Sequence, residues 1–186
     1  GTQMFIAARN NGSVYQYTLS TAFAVNTASY ANISFSVGSQ DTNPEGVAFN
    51  NDGSKMYIVG NSTDSVFEYS LDPRFNLKAA DYIGNNFSVN SQDTYPQGLA
   101  FNNDGTKMYI LGDTNNSVFQ YTLSTAFDVT TASYASKSFS VGSQDPDPLG
   151  LVFNTDGTKM YIIGDEYNSV FQYTLSTAFD VSTASY

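Results

Sequence analysis

The chain has 186 residues, a formal net charge of −10, and neither cysteine nor histidine. This composition excludes disulfides, zinc–thiolate sites and a histidine general base. Its acidity argues against a nucleic-acid partner, because that binding depends on Lys and Arg contacts to phosphate, and the lack of an apolar run of about 20 residues argues against membrane insertion.

One segment recurs along the sequence. Asp41, Asp93 and Asp145 occupy equivalent places in the strings SQDTNP, SQDTYP and SQDPDP, which lie 52 residues apart. Residues 4–23 recur at 108–127, two periods later. A period of this length is typical of stacked or ring-shaped repeat folds, in which each unit buries its apolar surfaces against its neighbours.

In chain order, four units of a single repeat domain follow one another. Residues 1–37 are predicted to lack a first strand, because Gly1 aligns with Gly105. Residues 44–89 and 96–141 are predicted to be whole units, whereas residues 148–186 lack a last strand, because Tyr186 aligns with Tyr134. The chain is thus expected to hold about 3.5 units, either as a segment of a longer repeat protein or as one of two or more chains that complete a ring.

Each whole unit is predicted to contain four strands, A to D. In the third unit these are residues 98–101, 107–111, 117–123 and 136–141, rich in Val, Ile, Phe, Tyr and Thr and bounded by Gly, Asn, Asp and Pro. The Asp104-Gly105 pair between A and B is typical of a hairpin turn. Strand B is apolar on both faces, as expected of a sheet between two similar sheets. The pattern predicts an all-β fold, a β-propeller of four-stranded antiparallel blades.

The string P-x-G-[LV]-[AV]-F-N-x-D-G-[ST]-K-M-Y-I occurs at residues 44–58, 96–110 and 148–162. It resembles the repeat of the YVTN and NHL propellers, in which a Pro-x-Gly strand is followed by an Asp-Gly hairpin and a hydrophobic strand. Asn51, Asn103 and Thr155 stand where that pattern usually has proline. The resemblance implies the propeller fold and carries over no functional residue.

Differences between units gather in the D–A and B–C loops, which a meandering blade places on the same rim. We call residues 37–43, 89–95 and 141–147 together with 9–12, 61–64, 113–116 and 165–168 the variable rim. Loops on a rigid frame commonly carry recognition, although unconstrained drift would give the same map. Aromatic, acidic and amide side chains are typical of a carbohydrate site. The candidate ligand-binding residues at or beside this rim are Glu45, Tyr95, Asp113, Asn115, Asp147, Asp165, Glu166 and Tyr167.

Asp41, Asp93 and Asp145 are weak candidates for a metal site. Their recurrence in every D–A loop would allow them to gather near the ring axis as oxygen ligands for Ca²⁺. The favoured interpretation is that each caps its own turn through a bond to the backbone. No cofactor is therefore predicted.

The sequence favours a non-catalytic extracellular binding or adhesion scaffold. An enzyme would be expected to break the repeat, because a single active site needs a residue that the other units lack. The alternatives are a purely structural segment of a larger surface or fibre protein, and a lactonase-like propeller hydrolase. Expected partners are further copies of the chain or adjoining repeats, together with glycans. The expected location is extracellular, at a cell surface or in a virion fibre.

Overall fold

The computed structural model describes all residues, Gly1–Tyr186, and contains four antiparallel sheets. Each sheet contacts the next along the chain, so the prediction of a β-propeller is confirmed. Blade 1 consists of β1 (Gln3–Ala8), β2 (Ser13–Leu19) and β3 (Ala28–Ser36). Blade 2 consists of β4 (Pro44–Phe49), β5 (Lys55–Gly60), β6 (Ser65–Leu71) and β7 (Ala80–Ser88). Blade 3 consists of β8 (Pro96–Phe101), β9 (Lys107–Gly112), β10 (Ser117–Leu123) and β11 (Ala132–Ser140). Blade 4 consists of β12 (Pro148–Phe153), β13 (Lys159–Gly164), β14 (Ser169–Leu175) and β15 (Ala184–Ser185).

The helical content consists of five short 3₁₀ turns, Arg9–Asn11, Val25–Thr27, Leu77–Ala79, Val129–Thr131 and Val181–Thr183. None of them is long or apolar enough to span a membrane.

The A–B hairpins form as predicted. In blade 3, Oδ1 of Asp104 accepts a hydrogen bond from the backbone N–H of Thr106 at 2.9 Å. Gly105 has a φ of +71°, and a Cβ there would lie 2.2 Å from the ring of Phe127. Glycine therefore supplies both the left-handed backbone of the turn and the space for this ring. Asp52 and Asp156 cap the equivalent turns.

Strand D differs from its prediction. β11 begins at Ala132, four residues before the predicted start at 136, because a bulge interrupts the strand. Gln120 pairs with Lys137 and Tyr121 pairs with Tyr134, so two extra residues stand out of the ladder, and Ser136 among them has a φ of +55°. The bulge breaks the alternation from which the strand would have been recognised. A two-residue strand, β15, also forms where the sequence predicted no last strand in blade 4.

Each blade buries its side chains against the adjacent blades. We call the face toward the preceding blade the leading face and the face toward the next blade the trailing face. In blade 4 the leading face comprises Met160, Ile162, Tyr173, Leu175 and Val181. It packs on the trailing face of blade 3, which comprises Tyr109, Leu111, Val118 and Val141. The blade 1–2 and blade 2–3 interfaces form equivalent clusters, so the core is divided among interfaces between sheets.

A buried hydrogen bond recurs at each interface between blades. A strand C side chain accepts from the first N–H of the 3₁₀ turn in the next blade: Gln16 from Leu77 at 3.1 Å, Glu68 from Val129 at 3.2 Å and Gln120 from Val181 at 3.1 Å. We call it the inter-blade bond. Glu68 differs from the two glutamines in also pairing with Lys55 at 2.7 Å.

Replacing Glu68 with alanine is expected to destabilise the fold by about 1–3 kcal/mol, because the buried N–H of Val129 would lose its acceptor. Glu68→Gln is the matched control, since glutamine makes the same bond from positions 16 and 120. Loss of the partly exposed pair with Lys55 should cost under about 1 kcal/mol. Urea unfolding of the two variants measures both effects, and equal destabilisation by Ala and Gln would contradict the role of this bond.

Candidate functional site

In blades 2, 3 and 4 the B–C loop is hydrogen-bonded to the D–A loop that precedes the blade, so the two kinds of loop share a rim as predicted. In blade 2, Oδ1 of Asp41 accepts from the N–H of Asn43 at 2.8 Å, within the D–A loop. Its Oδ2 accepts from the N–H of Thr63 at 3.0 Å, in the B–C loop. Asp93 joins Tyr95 and Asn115 in the same way at 2.8 and 2.9 Å. The rim is thus a rigid frame on which a few side chains can be held in fixed positions.

These aspartates pack against a glycine at the end of strand B. A Cβ built on Gly112 would lie 2.1 Å from Cγ of Asp93, and the equivalent distances are 2.2 Å for Gly60 to Asp41 and 2.1 Å for Gly164 to Asp145. The buried carboxylate therefore occupies the space that any side chain at the glycine would need.

Gly112→Ala is expected to lower the free energy of unfolding by about 1–3 kcal/mol, since the clash displaces Asp93 from its backbone partners. Gly38→Ala is the matched control, because a Cβ there meets its nearest atom at 3.6 Å, an ordinary contact. Denaturant unfolding of both variants provides the comparison. A Gly112→Ala protein as stable as the wild type would show that the carboxylate is not fixed in this position.

Side chains from three blades meet at one place on the variable rim. Nε of Arg9, from blade 1, lies 3.2 Å from Oε1 of Glu45 in blade 2. The guanidinium of Arg9 also donates to the hydroxyl of Tyr95 in blade 3 at 2.7 Å and lies over its ring, 5.5 Å from the centroid. Nδ2 of Asn61 donates to Oε1 of Glu45 at 2.6 Å. We call Arg9, Glu45, Asn61 and Tyr95 the rim cluster.

The backbone at the start of β4 directs the side chain of Glu45 into the rim cluster. The register of β4 against β5 shifts between Pro44 and Gly46, so Glu45 is an extra residue at the start of the innermost strand. A bulge of this kind redirects a side chain. A Cβ on Gly46 would lie 3.0 Å from the carbonyl oxygen of Gln97, so glycine allows β4 and β8 to approach closely beside the cluster.

The rim cluster breaks the repeat. Arg9 is replaced by Asn61, Asp113 and Asp165 in the other blades, Glu45 by Gln97 and Leu149, and Tyr95 by Asn43 and Asp147. Each of the three residues therefore occurs once, and only one such arrangement can form in the chain. A unique constellation on a repetitive frame is what a single active site requires.

The surroundings of the rim cluster shift the pKa values of Glu45 and Arg9. The side chain of Glu45 is only 11% exposed, and burial raises its pKa. Arg9 opposes that rise, and the negative charge of Asp41 adds to it. The hydrogen bond to Tyr95, followed by the charge of Glu45, raises the pKa of Arg9. A carboxyl group whose pKa moves toward neutrality is suited to accepting and returning a proton.

The rim cluster lies on the open rim and not in a cavity. A cavity of about 400 Å³ is lined by Gly1, Thr2, Gln3, Phe5, Phe49 and Phe75, beside the A–B side of blade 1. It adjoins β1, which pairs only with β2 and so forms an edge of its sheet. The cavity therefore belongs to this open edge, where blade 1 meets blade 2.

The structure brings together some of the other candidate residues. Asp113 lies beside Tyr95, whose carbonyl oxygen accepts from the N–H of Asp113 at 3.0 Å. Burial, followed by the charges of Asp147 and Asp93, raises the pKa of Asp113. Asp113 and Asp147 thus form an acidic sector next to the rim cluster.

The remaining candidates lie outside the rim cluster. Asn115 uses its side chain to cap the carbonyl of Gln92 at 2.8 Å, which is a structural contact. Asp165, Glu166 and Tyr167 are exposed on blade 4. Whether any of these residues binds a glycan stays a prediction.

The three recurrent aspartates make the turn-capping bonds that the sequence favoured. All three are buried, and each bonds backbone N–H groups of its own blade. No group of three or more acidic side chains lies close enough to hold a metal ion. The Ca²⁺ hypothesis stays a prediction without support from side-chain geometry.

Sequence reasoning missed Arg9 and Asn61. The available signal was that Arg9 is one of only two arginines and the only cation among the variable-rim loops. Its partner Glu45 was recognised only as a residue that differs between units, since the contact between blades joins positions far apart in the chain.

No protein-family model matches the chain, and no curated protein sequence matches it. Among solved structures, it is similar to a candidate 6-phosphogluconolactonase from Bacteroides uniformis, with 13% identity and a TM-score of 0.64 over 100% of this chain and 53% of that one. It is similar to the periplasmic gluconolactonase of Pseudomonas aeruginosa, with 14% identity and a TM-score of 0.58 over 100% of this chain and 49% of that one.

A third similar structure comes from a nidogen–laminin complex, with 14% identity and a TM-score of 0.61 over 98% of this chain and 59% of that one. At these identities the likeness establishes the fold. The chain is a β-propeller. It spans about half the length of the lactonase structures it matches, and its membership of the YVTN or NHL group in particular stays a prediction.

The preference for a non-catalytic adhesion scaffold, and with it the prediction that the chain is not an enzyme, was wrong. The finding that overturns it is the occurrence of a periplasmic gluconolactonase and of two candidate 6-phosphogluconolactonases among the structures that share the fold. The physical reason for the error lies in the rim cluster: the near-identity of the units hid three unique residues that converge only in the folded chain.

Proposed function

We propose that this chain forms part of a lactonase-like propeller hydrolase that opens uncharged sugar lactones at the rim cluster. The observation that carries the proposal is the convergence of Arg9, Glu45 and Tyr95 from three blades, each present once in the repeat. The lactonases among the similar structures support the choice of reaction. The reaction is the addition of water to a cyclic ester.

Glu45 would act as the general base. Arg9 and Asn61 both contact Oε1, so neither of these contacts uses Oε2. In the proposed mechanism Oε2 takes a proton from water as its oxygen bonds to the lactone carbonyl carbon. The ring C–O bond then breaks, and the proton passes from Glu45 to the departing alkoxide oxygen. The products are a hydroxy acid and the regenerated carboxylate.

Arg9 and Tyr95 would stabilise the negative charge that develops on the carbonyl oxygen. The hydroxyl of Tyr95 accepts a hydrogen bond from Arg9, so its own proton remains to be donated. A hydrogen bond from a positively charged group strengthens this donation. The side chain of Arg9 is 45% exposed, so its remaining N–H groups can face a bound lactone.

The charge of the rim favours an uncharged substrate. Arg9 is its only cation and is paired with Glu45. The carboxylates at or beside the variable rim are Asp41, Glu45, Asp64, Asp93, Asp113, Asp145, Asp147, Asp165 and Glu166. A phosphorylated lactone would meet like charge without a free cation to pair with its phosphate. We therefore expect gluconolactone and related neutral lactones to be preferred over their phosphate esters.

We also propose a periplasmic or secreted location. The support is the likeness to a gluconolactonase that is periplasmic.

The test is a proton-release assay of the purified chain with δ-gluconolactone, its 6-phosphate and an aliphatic lactone, each corrected for spontaneous opening. Hydrolysis of δ-gluconolactone above background, with a lower kcat/KM for the phosphate ester, is expected. Preference for the 6-phosphate would overturn the substrate assignment. Absence of hydrolysis of all three lactones would overturn the proposed function.

A further inference from the structure

Two apolar blade faces have no partner within the chain. The trailing face of blade 4 exposes Val152, Ile163 and Val170 by 57%, 49% and 65%. The leading face of blade 1 exposes Ile6 and Val25 by 41% and 68%. A contiguous apolar face of this kind is typical of an interaction surface.

The repeat shows what covers a trailing face. In blade 3 the positions equivalent to Ile163 and Val170 are Leu111 and Val118, both fully buried against blade 4. The residues of blade 4 that bury them are Met160, Ile162, Tyr173, Leu175 and Val181. Blade 1 carries the same five residue types at the equivalent positions, Met4, Ile6, Tyr17, Leu19 and Val25. One end of the chain therefore presents the surface that the other end needs.

The polar contacts between blades are matched as well. Where blade 3 meets blade 4, Gln120 accepts from the N–H of Val181 at 3.1 Å, and Tyr109 donates to the carbonyl of Phe179 at 2.8 Å. Blade 4 has the same donor and acceptor in Tyr161 and Gln172, neither of which makes such a bond within the chain. Blade 1 has the complementary groups, the carbonyl of Phe23 and the N–H of Val25.

We propose that two copies of this chain join head to tail, with the trailing face of blade 4 in one copy packed on the leading face of blade 1 in the other. Each copy offers one face of each kind, so two such contacts close a ring. One chain covers 53% of the length of a solved structure with the same fold, so two copies together match about the length of that chain. The contact uses mainly the middle strands, because β15 has two residues and blade 1 has three strands. The inference is independent of the proposed function.

The test begins with light scattering of the chain during gel filtration. The expected mass is twice the 20.2 kDa of one chain. Val170→Asp and Ile6→Asp are each expected to raise the dissociation constant about 100-fold, because each would bury an unpaired carboxylate. Ile83→Asp is the matched control, since Ile83 is 43% exposed on β7, away from both faces, and it should leave the dimer intact.

Mixing the two variants distinguishes a contact between a leading and a trailing face from a contact between two faces of the same kind. The Val170→Asp copy keeps an intact leading face and the Ile6→Asp copy keeps an intact trailing face, so the mixed pair has one unmodified contact and is expected to associate more tightly than either variant alone, where both contacts carry an aspartate. A monomeric wild type, an unaffected dimer in either single variant, or a mixture that associates no more tightly than either variant alone would overturn the proposal. A series of higher oligomers would overturn the closed pair.

Discussion

Glu45→Gln is expected to lower kcat/KM for δ-gluconolactone by about 10²- to 10⁴-fold, the range attributed to a lost general base. Glutamine keeps an oxygen to accept from Arg9 and Asn61, and it is the natural residue at the equivalent position 97. The fold should therefore be unchanged, and the lost activity would report the missing proton acceptor. Initial rates and thermal unfolding measured on the same preparation check both expectations.

Asp165→Asn is the control for this substitution. Asp165 is an exposed rim acid at the position equivalent to Arg9, in blade 4 and outside the rim cluster. Its loss removes one negative charge from the rim without touching Glu45, so activity should stay close to that of the wild type. Equal losses in the two variants would mean that the rim acts through its overall charge and not through one carboxylate.

The pH profile gives a second measurement on the same group. A general base works when deprotonated, so kcat/KM should rise with pH and level off above the pKa of Glu45. Burial raises that pKa, which places the rise at higher pH than for an ordinary glutamate with a pKa of 4.5. Arg9 lowers the pKa of Glu45, so Arg9→Met should move the rise further toward neutral pH. A profile unchanged by Arg9→Met would contradict the pairing of the two side chains.

Leu111→Ala is expected to destabilise the chain by about 2–5 kcal/mol, the cost of emptying a fully packed leucine site. Leu111 is completely buried between blades 3 and 4, on the trailing face of blade 3. Ile163→Ala changes the equivalent position in blade 4, where the side chain is 49% exposed. For the monomer, that substitution should cost less than about 1 kcal/mol, since little burial is lost.

Urea unfolding of the two variants at low protein concentration makes the comparison. Concentration matters, because Ile163 lies on the face assigned to the second copy. If both substitutions destabilised the monomer equally, the blades could not be sheets that are covered only by their neighbours.

Much of the fold could be predicted because it depends on local chemistry repeated in the sequence. Strand C was predicted with the bounds observed for β10, residues 117–123, since its alternation is unbroken and its ends are marked by Asn and Ser. The Asp104-Gly105 turn could also be predicted, because the side chain of Asp104 caps the N–H of a residue only two positions further along the chain. β11 was predicted short, because the bulge around Ser136 breaks the alternation along residues 132–140 by which a strand is recognised.

The candidate site was less accessible to sequence reasoning. Glu45 and Tyr95 could be selected as residues that differ between units, but nothing local indicates that Arg9 reaches both. The separation of Arg9 from Tyr95 along the chain is 86 residues, and the contact exists only because the fold brings loops of three consecutive blades together. A comparison of units one position at a time cannot show contacts between residues so far apart in the sequence. It therefore favoured a binding surface repeated from blade to blade.

A crystal structure with a sugar lactam, a stable mimic of the neutral lactone, tests the central claim most directly. The ligand is expected on the variable rim, with its carbonyl oxygen within hydrogen-bond distance of Arg9 and Tyr95 and its carbonyl carbon facing Oε2 of Glu45. Saturable binding with the lactam elsewhere on the chain, and the rim cluster left unchanged, would contradict the assignment of this cluster as the active site.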